Sequence, residues 1–334
     1  MNKVLFLSLP LFCCGLQMQA QTMTENEIMA KLNEASVLDN AKKTAEALDA
    51  FLLIGKNMEQ QRTEVEHQIY VYCQTKACKC YETLNRYEEA YLLAKKLIAG
   101  NLTEKEKKDV GHLYAMNGYM YATSFMHGDN RQLVKARTIL EEIMPYADGK
   151  VKEYALPKIS ESWFFEGAEY QLSQQYDKAL TCYQNALKGY QKLGKTKDEI
   201  SVLRHIAEIK GTLYDVAGSE DAYKQALVLA KQIGKTDVQM EILKELWKLG
   251  NRIGNVQQAQ TYVASIDSLV DVTADLQTKY TYYNQKGDEA KFLGQYGIAE
   301  QWYLRGKDLA ERPDINTVSA NRHLSYTNLR NIYA

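Results

Sequence analysis

Proline is scarce in this 334-residue chain, which has only Pro10, Pro145, Pro157 and Pro313. Few helix breaks are therefore enforced, and none of the four falls at the centre of a helix that the pattern below predicts. Pro145 is expected to end one helix and Pro157 to lie near the first turn of the next, where its missing N–H costs little. Histidine is equally thin. His67, His112, His127, His205 and His323 are scattered, and none has a carboxylate or nucleophile at a helical spacing that makes a catalytic set, so no enzyme is expected. Neither sign of charge is in excess, with 41 Lys and Arg against 42 Asp and Glu. That balance removes the general electrostatic case for nucleic acid or an anionic membrane as partner. Beyond the N-terminus no run of about 18 apolar residues occurs, so the mature chain is expected to lack a membrane span.

Cysteine is sparse as well. Past the first twenty residues only Cys73, Cys78, Cys80 and Cys182 remain. An even count in an exported chain invites a disulfide reading. The positions resist it: the first three are expected on one helix, where residues two apart point in different directions and residues seven apart lie too far to bridge. No histidine or second cysteine pair follows at ligand spacing, so no metal is expected. Small buried residues between helices are the simpler reading.

What the sequence does have is a period. Ala179, Ser219, Ala259 and Ala299 recur every 40 residues. In the same register stand Tyr183, Tyr223, Val263 and Tyr303, and upstream Trp163, Leu203, Leu243 and Tyr283. Gly167, Ala207, Trp247 and Gly287 form a further column. A fixed step in the range of about 20–50 residues marks a repeat array, in which each unit packs on its neighbours and length does not count domains. The 24 tyrosines against seven phenylalanines suit half-buried positions between helices, where the ring packs and the hydroxyl reaches water.

The clearest unit, Ser160 to Leu193, carries Trp163, Gly167, Tyr170, Tyr176, Ala179, Tyr183 and Ala186 in order. This resembles the tetratricopeptide repeat (TPR), with Gln191 standing near the place of its closing proline. Gly167 and Ala179 are small where the two helices of a pair cross closely. The match continues outward through Tyr81, Tyr87, Ala90 and Ala94, with Cys78 in the small slot. Gly118, Tyr121, Ala136 and Leu140 fit another unit, with an insertion around His127 to Arg131. Gly287, Gly294, Tyr296, Ala299 and Tyr303 fit the last strong one. The resemblance implies an all-α, right-handed superhelical solenoid of about seven helix pairs. The expected organisation is a degenerate first pair over 21–64, a TPR array over 65–312, and a terminal helix within 313–334 whose apolar side is Leu324, Tyr326, Leu329 and Ile332.

Residues 1–20 read as an export signal: Lys3, an apolar run from Val4 to Leu16, and a cleavage region ending at Ala20. A periplasmic or secreted protein is expected. Lipid attachment at Cys13 or Cys14 is the weaker alternative, since Phe12 replaces the small residue such a site favours.

Gly189 to Thr196 matches the phosphate-binding pattern G-x-x-x-x-G-K-[ST]. That chemistry needs a strand before the loop and a helix after it. Here the expected second helix of the best repeat precedes it, and Gly234-Lys235-Thr236 recurs one period later. The stretch reads as an inter-repeat turn with glycine at a helix C-terminus, and neither nucleotide nor any other cofactor is expected.

In TPR arrays the first helix of each pair lines the concave groove. Carried onto this sequence, that pattern places Phe164, Arg204, Glu208, Lys244, Lys248, Asn251, Arg252, Asn284 and Lys291 on the groove face. Lys244, Lys248 and Arg252 follow at i, i+4 and i+8, one stripe of three cations suited to a carboxylate or an acidic peptide. Glu208 and Asp288 on flanking helices offer internal neutralisation instead. The expected function is protein or peptide recognition, as a scaffold or as the sensor part of a signalling protein. The alternative is an accessory module for a sensor histidine kinase or caspase-like protease domain, which exported arrays of this family commonly precede.

Overall fold

The computed structural model describes residues 23–60, 63–128, 130–270, 276–311 and 319–333. Among them are fifteen α-helices and no strand. The first fourteen form seven consecutive pairs: α1 (Glu25–Asn40) and α2 (Thr44–Asn57), α3 (Glu64–Thr83) and α4 (Tyr87–Ile98), α5 (Glu104–Ser124) and α6 (Leu133–Ile143), α7 (Gly149–Leu172) and α8 (Tyr176–Leu193), α9 (Thr196–Thr212) and α10 (Val216–Gln232), α11 (Thr236–Arg252) and α12 (Val256–Val270), α13 (Leu276–Phe292) and α14 (Tyr296–Ala310). α15 (Ser319–Tyr333) follows and packs on α14. The described residues form an all-α array of consecutive helix pairs. The export signal expected over 1–20 lies outside the described residues. Among those described, no helix is long and apolar enough to cross a membrane, and no group of His, Cys, Asp and Glu side chains is arranged to hold a metal ion.

Two compact units result: Met1–Asn130 with Thr138–Lys152, and Arg131–Arg137 with Glu153–Ala334. In the first, helices start on a repeated device. Thr24, Thr63 and Thr103 are N-caps whose hydroxyls accept the N–H of Glu27, Glu66 and Glu106, while each glutamate carboxylate accepts the threonine N–H in return. Two otherwise unpaired donors are satisfied at each start. In the second unit the turns carry the regularity. Gln174, Tyr214, Gly254 and Gly294, each 40 residues from the next, all have φ between 59° and 75°. In each turn the following N–H reaches back to the carbonyl five residues earlier, as in Gln175 to Tyr170 (2.8 Å) and Asp215 to Lys210 (2.8 Å), which closes the helix end.

Pro157 departs from expectation. It sits inside α7, not near its start. The helix begins earlier because Asp148 caps it: the Asp148 carboxylate accepts the Val151 N–H at 3.2 Å and its carbonyl accepts the Lys152 N–H at 2.8 Å. Pro145 does follow the end of α6, in a short 3₁₀ turn.

In the first unit, α4, α5 and α6 meet at one carboxylate. Glu142 accepts the hydroxyls of Tyr114 (2.5 Å) and Tyr91 (2.9 Å), whose rings stack at 5.4 Å, and pairs with Lys95 at 2.6 Å. Burial works against the Glu142 charge, but the hydrogen bonds from Lys95, Tyr114 and Tyr91 together outweigh it and hold its pKa below the usual carboxylate range. A lowered folded-state pKa contributes stability that is complete above the unfolded value and is lost as pH falls through the folded one. Glu142→Ala is expected to cost about 1–3 kcal/mol at neutral pH, because the buried Tyr114 hydroxyl loses its acceptor. Denaturant titrations at several pH values check this. The gap to the parent chain should narrow below pH of about 4, and a gap independent of pH would refute the electrostatic part.

The four described cysteines are free and buried. Burial pushes the Cys73 and Cys78 thiols up to about 12 and that of Cys182 to about 11, so they remain protonated packing groups. The 40-residue column is equally buried: Ala179, Ser219, Ala259 and Ala299 are each at most 1% exposed. Ala186 is buried beside them, while Tyr170 and Tyr176 pack half-buried against the same core. Tyr296, the first residue of α14, instead stands 55% exposed.

In the second unit the pairs close by placing a large side chain over a small residue. Tyr183 lays its ring across Gly167, where an added Cβ would lie 2.9 Å from two ring carbons, and Tyr303 covers Gly287 in the same way. Their hydroxyls then donate to Gln171 (2.7 Å) and Asp288 (2.5 Å). Tyr223 stands by register over Ala207. In the α11/α12 pair the sizes are exchanged, with Trp247 in the small slot and Val263 in the large one.

Candidate functional site

Two of the clefts between successive first helices of the second unit are each floored by the second helix between them. One, of about 280 Å³, has Glu208, Gly211 and Thr212 of α9 on one wall and Glu245, Lys248 and Arg252 of α11 on the other, over Ser219 and Tyr223 of α10. The other, of about 310 Å³, has Lys244, Trp247 and Lys248 of α11 facing Tyr282, Gln285, Lys286, Asp288 and Glu289 of α13, over Val263 and Ile266 of α12. Lys248 lines both. A helical stripe at i and i+4 on α11 therefore serves two neighbouring clefts, because the spacing keeps those side chains on one face.

The charges of these walls are spoken for, with one exception. Lys248 pairs with Glu245 of its own helix at 2.8 Å rather than with Glu208 or Asp288 of the flanking helices. Glu208 instead faces His205 at 3.5 Å and accepts from Gln171 at 3.4 Å; the His205 contact holds its carboxyl below the usual range. Arg204 reaches across to Glu241 of α11 at 3.0 Å. The Arg252 guanidinium donates to the Gly211 carbonyl at 3.2 Å. Lys286 pairs with Glu289 at 3.4 Å, and Asp288 accepts the Tyr303 hydroxyl. Lys244 is half-buried at the mouth of the larger cleft and, among the described residues, has no hydrogen bond or ion pair. Burial moves its pKa down from the usual lysine range, with Lys248 adding to the effect and nearby carboxylates opposing it.

Of the residues expected on this face, Arg204, Glu208, Lys244, Lys248 and Arg252 converge on the clefts or their edges. Asn251 is exposed on α11 and Lys291 half-buried on α13, both outside the cleft linings. Phe164 is a packing residue as much as a surface one, with its ring 5.7 Å from Tyr183 and 5.4 Å from His205. Asn284 does not belong to the face. It is buried, with its amide nitrogen on the Tyr280 carbonyl and its oxygen accepting from Asn328 of α15 at 3.0 Å. Register placed it correctly on α13, but α15 covers that side.

The stretch Gly189 to Thr196 spans the end of α8 and the turn into α9. Gly194 takes φ 62°, and the N–H groups of Gly194 and Lys195 bond back to Gln191 (3.2 Å) and Tyr190 (3.0 Å) of α8. Those donors close a helix end and do not converge on an anion. A helix, not a strand, precedes them.

Several of the cleft side chains were not marked by sequence. Tyr282, Lys286 and Glu289 complete the larger cleft, and the exchange of sizes at Trp247 and Val263 was the available signal for it.

No protein-family model matches the sequence, and no curated protein matches it. Solved structures resemble it in fold. Aspartyl phosphate phosphatase F from Bacillus subtilis is 13% identical, with 93% of this chain and 84% of that one covered and a TM-score of 0.44. A tetratricopeptide repeat protein from Parabacteroides merdae is 10% identical, with 92% and 99% covered and a TM-score of 0.31. The Rap conjugation gene regulator of plasmid pLS20, in complex with the Phr* peptide, is 14% identical, with 92% and 85% covered and a TM-score of 0.33. The likeness is one of helical architecture, and no residue of the clefts is assigned from it.

Proposed function

We propose that the chain is an exported binding scaffold that recognises an acidic protein or peptide on the first-helix face of its second unit. The observation that carries this reading is the pair of clefts flanking α11, with Lys244, Lys248 and Arg252 along the ridge between them. Clefts of this kind, apolar at the floor and polar at the rim, suit an extended or helical segment whose side chains dip between the helices. No nucleophile with an adjacent base lines either one, which favours binding over catalysis.

Peptide-display selection on the purified chain tests the proposal. Selected sequences should be enriched in Asp and Glu, and a Lys244/Lys248/Arg252 triple-alanine variant should bind them at least tenfold more weakly. Affinity should also fall as salt rises, because exposed charges are screened within about 8 Å at physiological ionic strength. The exposed Lys248–Glu245 pair is worth only about 0.2–0.5 kcal/mol, but the variant also loses the Arg252 hydrogen bond to the Gly211 carbonyl, so a circular dichroism melt showing a folded variant accompanies the binding measurement. Selection of neutral sequences that bind parent and variant alike would overturn the reading. Export belongs to the same proposal, and a mature mass lacking residues 1–20 in the extracytoplasmic fraction is the outcome that supports it.

A further inference from the structure

The larger cleft differs from its neighbour in its lining: Tyr223 of α10 floors the smaller one, whereas Val263 and Ile266 of α12 floor this one, with Trp247 at its wall. Around it, tyrosine covers a small residue and fills the space between pairs: Tyr183 over Gly167, and Tyr303 over Gly287. In the α11/α12 pair the large side chain has moved to the first helix as Trp247. Val263 on the second helix is too short to reach the volume that its tyrosine counterparts occupy. The cavity of about 310 Å³ is walled by Trp247 and Tyr282 and floored by Val263 and Ile266. Tyr282 is fixed in place because its hydroxyl donates to Asp267 of α12. The cavity lies at the small end of the range for ligand pockets, about 300–1,000 Å³, and its walls are the apolar and aromatic surfaces such pockets use.

The rim has a definite charge requirement. Three lysines and two carboxylates surround the opening. Lys248 is held by Glu245, Lys286 by Glu289, and Asp288 by the Tyr303 hydroxyl. Among the described residues Lys244 alone of these has no hydrogen bond or ion pair, and it lines the cavity half-buried together with Trp247. A group that desolvates it further without supplying a negative charge loses free energy, whereas a carboxylate gains a charge-assisted hydrogen bond.

We infer that this cavity is an anchor subsite for a partner segment in which an aromatic or large aliphatic side chain is directly preceded by an acidic one. The apolar side chain fills the cavity over Val263, between Trp247 and Tyr282, and the carboxylate meets Lys244. The inference rests on the peptide-recognition reading above and names the part of the partner that the larger cleft takes.

Three capped dipeptides test it: acetyl-Asp-Phe-amide, acetyl-Asn-Phe-amide without the charge, and acetyl-Asp-Ala-amide without the anchor. Each is titrated into the full chain, with binding followed through the indole N–H resonance of Trp247. The Asp-Phe compound should bind at least tenfold more tightly than either of the others. Lys244→Gln should reduce its affinity to that of the Asn-Phe compound. The double variant Trp247→Gly/Val263→Tyr rebuilds the packing of the flanking repeats and should abolish binding of all three, read by calorimetry because the indole is gone. A helical circular dichroism spectrum with a cooperative melt shows that each variant is folded. Equal affinities for the three compounds, or Asp-Phe binding untouched by both variants, would overturn the inference. If acidic display-selected peptides bind and the triple-alanine variant loses them while the dipeptides show no preference, the subsite is wrong and the binding face stands. If no acidic peptide binds at all, both fall.

Discussion

Arg137→Ala is expected to destabilise the second unit by about 3–5 kcal/mol, the largest effect of any single truncation outside the apolar core. The guanidinium is buried, pairs with Glu166 at 2.7 Å, donates to Ser162 at 3.4 Å, and lies 3.3 Å from the centroid of the Trp163 ring. The ion-pair side chains are only 8% and 13% exposed, so neither end is served by bulk water. Removing arginine alone strands a buried carboxylate, and that uncompensated charge is the main cost. The double variant Arg137→Met/Glu166→Leu should recover most of the loss, because apolar replacements of similar volume avoid desolvating two ions. Urea titrations of the three proteins decide the matter. If the double variant is as unstable as the single one, the stacking on Trp163 rather than the stranded charge carries the effect.

Gly167→Leu is expected to cost about 3 kcal/mol, the upper end for overpacking, since even a Cβ there meets the Tyr183 ring at 2.9 Å. Tyr183 has little room to yield: it is fully buried, stacks on His205 with a 5.2 Å centroid separation, and holds Gln171 through its hydroxyl. Gly287→Leu should behave alike through Tyr303. Gly297→Leu, at an exposed position with open space around a Cβ, should change stability little and serves as the comparison. Thermal melts on the same buffer report all three, and a Gly167→Leu protein as stable as the comparison would mean that α7 and α8 do not cross as closely as described.

The repeat register was legible because burial is periodic. Small residues cannot be replaced where helices cross, so Ala179, Ser219, Ala259 and Ala299 kept step and each proved buried. The first unit was harder to read by that criterion, yet it had its own signal in the spaced threonine and glutamate pairs at Thr24, Thr63 and Thr103. Pro157 is tolerated at a first turn but does not require one, and the capping Asp148 starts α7 upstream of it. Arg137 carried no mark at all. It lies on α6, in the helix pair before the one that contains Trp163, and only the packing brings the two together.

The face was legible in part. Helical spacing alone put Lys244, Lys248 and Arg252 in line, and the resemblance to TPR arrays placed that line on the first-helix side. Spacing gave no information on which charges find partners, since that depends on side-chain conformation as well as on helices about 40 residues away. Arg204 reaches Glu241 of α11, Lys248 pairs with Glu245 on its own helix, and among the described residues Lys244 has no hydrogen bond or ion pair. Asn284 shared the register of Lys244 and Arg204 but lies under α15, a contact that no repeat pattern encodes. The exchange of Trp247 and Val263 was visible as a column mismatch, and the cavity they line required the neighbouring helix α13.

The most direct measurement is backbone amide exchange of the full chain with and without a display-selected acidic peptide at saturating concentration. Binding on the first-helix face predicts slowed exchange in α9, α11 and α13, strongest around Lys244 to Arg252, with α8 and α14 unchanged. Slowing confined to those second helices, or to the first unit, would contradict the account.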